Sequence, residues 1–256
     1  MRKSLFAAVF LFTVFVIQPF DLRAEELKLS IYHYPPYVIA AEKDDWISGV
    51  DVDVVKEIAG RMNLDVSLYR CPWKRCLKSM EVGTVDVLTN AVKKPDREKY
   101  MLYCDKPFLT DFPIVFYFKK GKGRAVRTYE DLYNYTIGYE RGAVYFNRFD
   151  NDTKLKKVPW HTYNKLLNLL NAERIDGVIG YKEPLNYIIS EMGLQGAFEE
   201  TSYRCPASHN ESYITVSKKS PLASRFAEFN RIHGQLLETG IVDKIKKAYF
   251  EKYSSK

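Results

Sequence analysis

Apolar and polar residues alternate from Leu27 to Tyr32, with Leu27, Leu29 and Ile31 on one face, and this predicts a strand. The following HYPPYV ends it, because two prolines cannot continue a central ladder. From Asp51 the period changes. Val54, Val55, Ile58, Ala59 and Met62 share one stripe, which predicts a helix to Met62. Asp51 or Asp53 can cap it, and Glu57 and Arg61 are spaced to pair on its surface. Leu64 to Leu68 alternates again as a strand. Trp73, Cys76, Leu77 and Met80 recur at helical spacing, so a second helix begins inside CPWKRC, with Pro72 suited to its first turn and Gly83 to its C-terminal end. Val85 to Leu88 is a short strand. Strand, helix, strand, helix, strand predicts an α/β layer with a parallel core.

The rhythm then restarts. Tyr135 to Gly138 reads as a strand, and YERGAVYFNRF can start a helix. His161 to Ala172 is a helix with Tyr163, Leu166, Leu167 and Leu170 on one face, and Ile175 to Ile179 closes as a strand. CLKSMEVGTVDVLTN and LLNLLNAERIDGVIG share a helix, a short turn and an apolar-Asp-x-apolar strand start. Two lobes built alike would give this echo, and so would any pair of βαβ units. Between the halves, PFLTDFPIVFYFKKG can form one extended strand from lobe to lobe. Leu222 to Leu237 and Ile241 to Phe250 read as two helices separated by Gly240.

The N-terminus changes the picture of where the chain works. Arg2 and Lys3 precede an apolar run from Leu5 to Ile17 that is too short to cross a bilayer but fits the core of a signal peptide, with Ala24 as the last residue before cleavage. Retention as an uncleaved anchor is the alternative. The 256 residues carry a formal net charge of +7, spread without any Lys/Arg block. That argues against nucleic acid and tilts towards an anionic ligand or surface. The four cysteines, Cys71, Cys76, Cys104 and Cys205, lean towards two disulfides in an exported chain, and three pairings are open. CPWKRC is not a C-x-x-C redox motif, and the scattered His33, His161, His209 and His233 supply no zinc spacing. A structural disulfide is the expectation, with free thiols the next reading.

YHYPPY, GVDVDVVKEIAGRMNL, PWKRCLKSMEVGTVDV, PDREKYMLYCDKPF, YTIGYERGAVY, ERIDGVIGY and SYITVSKKSPL with FNRIHGQLLETGIVDKI follow one another in that order. Together they resemble the bacterial extracellular solute-binding proteins of family 3, the amino-acid-binding-like members of the type 2 periplasmic binding proteins, across nearly all of the exported chain. The resemblance implies two α/β lobes joined by two crossover strands, with a ligand cleft between them. It gives a signal peptide at 1–24, lobe 1 at 25–112 and 213–256, and lobe 2 at 113–212. It implies a periplasmic monomer without cofactor or metal, which captures a small carboxylate-bearing ligand and delivers it to an ABC permease of the inner membrane. Sensing without transport is an alternative, and a dehydratase-type enzyme of the same fold is another, with Glu140 and Glu183 as its candidate acids.

Residue by residue, the resemblance assigns the carboxylate-binding arginine to Arg97 of PDREKY, whose planar fork suits two parallel charge-assisted bonds. A surface arginine paired with Asp96 or Glu98 is the other reading. Trp73 matches the aromatic that stacks on the ligand, which makes CPWKRC a cleft wall with Cys71 and Cys76 pinning the turn. Cys104 would then pair with Cys205 and staple the crossovers. Tyr34 and Tyr37 take the first-strand aromatic positions, and Asn90 stands where the family often has a Gly-x-Thr. Glu140, Arg141 and Gly142 fall in the binding loop of lobe 2, and Tyr145 starts the next helix. Arg141 beside Arg97 would favour an anionic, aromatic ligand, and a surface-exposed Arg141 is the other reading. Tyr181 replaces the acidic residue that takes a ligand ammonium, and Glu183 follows two residues later.

Overall fold

The protein is described by a computed structural model that covers residues 25–40, 46–110, 112–205 and 211–254. The expected leader at 1–24 lies outside the described residues. In chain order the elements are β1 (Glu25–Ile31), α1 (Val50–Arg61), β2 (Leu64–Arg70), α2 (Trp73–Val82), β3 (Val87–Val92), the single-turn α3 (Pro95–Glu98) and β4 (Met101–Tyr103). There follow β5 (Ile114–Lys119), β6 (Thr136–Glu140), α4 (Asn147–Asn151), β7 (Lys156–Trp160), α5 (Tyr163–Asn171), β8 (Gly177–Tyr181), α6 (Lys182–Glu191) and β9 (Phe198–Glu200). The chain closes with β10 (Ser212–Ser217), α7 (Phe226–Glu238) and α8 (Ile241–Ser254).

Two five-stranded sheets result, ordered β2-β1-β3-β10-β4 and β7-β6-β8-β5-β9. In each, three parallel strands are followed by one antiparallel strand and a short edge strand. The orders match position for position, so the echo between the halves is structural. Its aspartates do the same work twice. Asp86 Oδ2 accepts from Lys28 N at 2.7 Å while its own N–H donates to Lys28 O at 2.9 Å. Asp176 Oδ2 accepts from Thr136 N at 2.8 Å while its N–H donates to Thr136 O at 2.9 Å. A short acceptor side chain beside the neighbouring strand is what each sheet needs there.

The predicted stripe of α1 is buried as expected, with Val54, Val55, Ile58 and Ala59 fully covered, and Leu166, Leu167 and Leu170 of α5 do the same in the second lobe. Arg61 and Glu57 pair at 2.9 Å on the surface. The expected cap of α1 is corrected: its N-cap is Gly49, at φ +132°, where an added Cβ would meet Tyr37 O at 2.2 Å. Neither aspartate caps the helix. Asp53 accepts from Tyr249 Oη at 2.7 Å, and Asp51 is buried and directed at the cleft wall.

PFLTDFPIVFYFKKG is also not one strand. Pro113 cannot donate to a ladder, and β5 begins only at Ile114. Ahead of it Leu109 pairs with Ser212, with N–H···O distances of 3.2 and 3.0 Å, so the two crossovers lie side by side. Cys71 and Cys76 form a disulfide with Cα atoms 5.5 Å apart. The expected Cys104–Cys205 staple is corrected: both thiols are free. Cys104 is held in the first sheet by its N–H to Ile214 O at 3.1 Å, whereas Cys205 follows a segment tied to the second lobe by Tyr203 N to Val126 O at 2.8 Å. Burial pushes both thiols upward, Cys205 to about 12.

The paired aspartates differ in burial, and their replacement should differ in the same sense. Asp86→Ala also strips Ser220 Oγ of its acceptor and is expected to cost about 1–3 kcal/mol, with the exposed Asp176→Ala at about 1 kcal/mol. Urea denaturation measures both, and equal losses would contradict the shared but unequally buried role.

Candidate functional site

The C-terminal ends of β1 and β3 in the first lobe face those of β6 and β8 in the second. Between them lies a small cavity, about 300 Å³ of empty space including its open mouth, lined by Tyr32, Tyr34, Trp73, Asn90, Val92, Arg97, Glu140, Ala143, Val144 and Tyr181. Six of the expected ligand residues meet there: Tyr34, Trp73, Asn90, Arg97, Glu140 and Tyr181.

Arg97 is 4% exposed, which removes the surface reading; Glu98 instead stands 3.8 Å from Lys93. The Lys94–Pro95 turn starts α3 and turns the Arg97 side chain inward. Its Nη1 donates to Val92 O at 3.0 Å and its Nη2 to Gly142 O of the opposite lobe at 2.8 Å. Guanidinium carries five N–H donors, so these two bonds hold it in place and leave donors for a ligand. Its carbon lies 5.6 Å from the centre of the Trp73 ring, within cation–π range. Trp73 Nε1 donates to the same Gly142 oxygen at 3.0 Å. The Cys71–Cys76 bridge closes the turn that starts α2 and fixes where this indole points.

Gly142 can make that approach because it sits at φ +86°, and an added Cβ would lie 3.3 Å from Lys74 and 3.4 Å from Trp73. Its carbonyl, not its amide, joins the lobes. Arg141 is exposed, with its N–H on Trp160 O at 2.8 Å, so the expected pair of arginines on one anion is corrected to Arg97 alone. Tyr145 is fully buried rather than in the cavity, and α4 starts only at Asn147. Its hydroxyl accepts from Glu140 N at 3.1 Å and supports the end of β6. Tyr37 lies behind Tyr34, stacked at 5.6 Å between ring centres. Tyr181 reaches Tyr34 edge-on across the cleft at 6.1 Å, and its hydroxyl donates to Val144 O. Glu183 is not among the lining residues; it starts α6, with Oε2 buried and without a partner.

The sequence reading passed over Tyr32, Val92, Ala143, Val144 and, behind the wall, Asp51. Asp51 had a signal: it falls on the apolar stripe of α1 with Val54, Val55 and Ile58. It is fully buried and accepts from Asn90 Nδ2, while Asn90, at φ +55°, brings its side chain to the cavity. Burial pushes the Asp51 carboxyl up to about 7, against the opposing pull of Thr89, Asn90 and Lys246. Burial alone pushes Glu140 up to about 8. Among the described residues the cavity is thus lined by one cation, Arg97, one desolvated acid, Glu140, and a wall of aromatic rings, with the buried Asp51 behind it.

With this geometry in hand, comparison with known proteins is informative. Residues 29–252 match the model of the bacterial extracellular solute-binding proteins, family 3. The L-cystine-binding protein TcyA of Bacillus subtilis is 24% identical over 226 residues, 87% of this chain and 80% of that protein. The lysine/arginine/ornithine-binding periplasmic protein of Escherichia coli is 21% identical over 225 residues, 85% of this chain and 84% of that protein. Among solved structures, the substrate-binding protein AbpA of Streptococcus pneumoniae, bound to L-arginine, superposes with a TM-score of 0.76 at 16% identity, covering 88% of this chain and 94% of that one. A histidine kinase sensor domain has a TM-score of 0.75 at 21% identity, covering 89% and 96%. The solved structures carry the fold alone: two α/β lobes of the type 2 periplasmic binding proteins.

Asp51 gives this site a pH signature. Its carboxyl is easier to protonate folded than unfolded, where an aspartate titrates near ~4. Its stabilising contribution is therefore complete below that pH and is lost as pH rises through about 7. Asp51→Asn keeps the acceptor for Asn90 and is expected to flatten this decline, with a gain on the order of 1–3 kcal/mol at pH 8. Urea titrations from pH 4 to 8 measure it; parallel curves for the two chains would contradict a strained buried carboxylate.

Proposed function

The chain belongs to the bacterial extracellular solute-binding proteins, family 3, and on that premise we propose that it captures a small carboxylate-bearing, amino-acid-like ligand between its lobes in the periplasm and presents it to an ABC permease. The observation that carries the reading is Arg97: a buried guanidinium, oriented by Val92 and Gly142, stacked near Trp73 and facing a cavity between two lobes. Desolvation strengthens its bond to a carboxylate, and a fork fixed before the ligand arrives has less entropy to lose. Relatives named for binding L-cystine or lysine, arginine and ornithine support an amino-acid-like ligand. The function is capture and release, not turnover. Trp73, Tyr34 and Tyr181 give the ligand apolar walls, and closure needs only rotation about the paired crossovers at Leu109 and Ser212.

Ligand sensing through a signalling partner is the second reading, favoured by the shared fold of the histidine kinase sensor domain. Loss of labelled-ligand uptake on deleting the gene decides for transport; intact uptake with a lost transcriptional response decides for sensing.

The test of the site is a thermal-shift screen with amino acids, dicarboxylates and aromatic acids. A ligand at about 100 times its Kd stabilises by about 2.7 kcal/mol, a rise of roughly 5–10 °C for a chain of this size. Arg97→Ala is expected to abolish the shift and Arg97→Lys, which keeps the charge but not the fork, to reduce it. An equal shift in wild type and both variants would remove Arg97 from the site.

A further inference from the structure

Arg97 accounts for one end of the ligand, but the cleft holds a second ionisable group. Glu140 ends β6 in the second lobe, is 8% exposed and lines the same cavity as Arg97. The two are not paired with each other: the Arg97 donors go to the Val92 and Gly142 carbonyls. The Glu140 charge helps to push up the phenols of four tyrosines, Tyr32 after β1, Tyr145 after β6, Tyr163 at the start of α5 and Tyr181 at the end of β8. No cation or donor among the described residues offsets its burial. A buried carboxyl in that position is unfavourable unless it is neutral or something brings it a positive charge.

The other candidates for contact with a cationic group are already engaged or displaced. The Tyr181 hydroxyl donates to Val144 O. Glu183 does not line the cavity. Asp51 is held behind the wall by Asn90. Rings of Tyr32 and Trp73 lie 4.7 Å apart, and Tyr32 and Tyr34 5.5 Å apart, beside the cavity. These rings line the same cavity as Glu140, so a cation held there would lie among aromatic side chains.

We propose that Glu140 takes the ammonium group of the ligand, so that a compact zwitterion bridges Arg97 of one lobe and Glu140 of the other. This rests on the carboxylate reading of the cleft given above and adds the second half of the ligand. It moves the acidic partner from the end of β8, where Tyr181 stands, to the end of β6. Binding then carries a proton step. Burial pushes the Glu140 carboxyl up to about 8, which favours its protonated form near neutral pH, and an arriving ammonium would drive that proton to solvent. Affinity for an amine-bearing acid rises with pH towards that value, until the ligand amine itself deprotonates. If Glu140 instead served as a neutral donor, affinity would fall over the same range. The four phenols are all pushed upward and do not titrate there. Asp51, at about 7, does, and it remains in a Glu140 variant as an internal control.

Calorimetric titration tests this with the standard L-amino acids and L-cystine as probes, followed by the best binder against its 2-hydroxy acid, at pH 6, 7 and 8. Wild type, Glu140→Gln and Arg97→Ala are compared. The expected results are an affinity that rises several-fold with pH in wild type, a loss of at least about tenfold in Glu140→Gln together with loss of that rise, and a 2-hydroxy acid that does not distinguish wild type from Glu140→Gln. Glu140→Gln should melt no lower than wild type, since it removes a strained carboxyl. Binding of the amino acid within twofold of wild type, or affinity that falls as pH rises, overturns the proposal. If Arg97→Ala fails while Glu140→Gln binds normally, the ammonium assignment alone falls. If no amine-bearing acid binds wild type, or Arg97→Ala binds equally, the carboxylate reading falls with it.

Discussion

A guanidinium buried between two lobes has to find acceptors on both, and Arg97 imposes that requirement on this fold. Its cost in lost hydration is large unless each buried donor meets an oxygen or an aromatic face. Val92 O meets it from the first lobe, Gly142 O from the second, and the Trp73 ring lies alongside. Each of these depends on local chain geometry elsewhere. The Cys71–Cys76 bridge sets the turn that aims Trp73, Lys94–Pro95 starts the turn that aims Arg97, and a left-handed glycine exposes the carbonyl at 142. One backbone oxygen thus receives two donors from across the cleft.

The same contacts explain how such a cleft can open. Trp73 and Arg97 on Gly142, and His33 Nε2 to Glu191 at 3.1 Å, are polar contacts that water can replace, and the edge-on Tyr34–Tyr181 ring contact joins them. The sheets themselves share no strand, so separation of the lobes leaves both ladders intact. On the proposed reading a rotation of the lobes would fall on the crossovers, where Leu109 and Ser212 pair as an isolated bridge. Each lobe keeps its own sheet, while the buried apolar residues form one continuous cluster through both, and the ligand cavity lies between the two sheets.

Much of this was legible in the sequence where a period was strong. The stripe from Val54 to Met62, the helix from Trp73 to Gly83 and the Asp86–Asp176 echo all rest on local patterns that packing then kept. The antiparallel strands were not legible as such, because β5 and β10 are buried runs whose partners lie far along the chain. Arg97 and Trp73 were singled out by the order of motifs that the resemblance rests on, and that order says nothing about how the opposite lobe turns its side chains. Arg141 and Tyr145 were therefore expected in the cavity, and the turn at Gly142 directs one to solvent and the other into the core. Cys104 and Cys205 were paired by counting alone, and counting does not register that Cys104 is bonded to the first sheet while Cys205 follows a segment tied to the second lobe. Asp51 was read as a cap because aspartate often is one; its place on the apolar stripe was the better signal.

A crystal structure of the chain with its tightest amino-acid ligand would show whether Arg97 and the facing lobe hold that ligand. Ligand density is expected between the lobes, with its carboxylate within hydrogen-bond distance of the Arg97 guanidinium and its body against Trp73. Ligand bound elsewhere, or an empty cleft at saturating ligand, would contradict it.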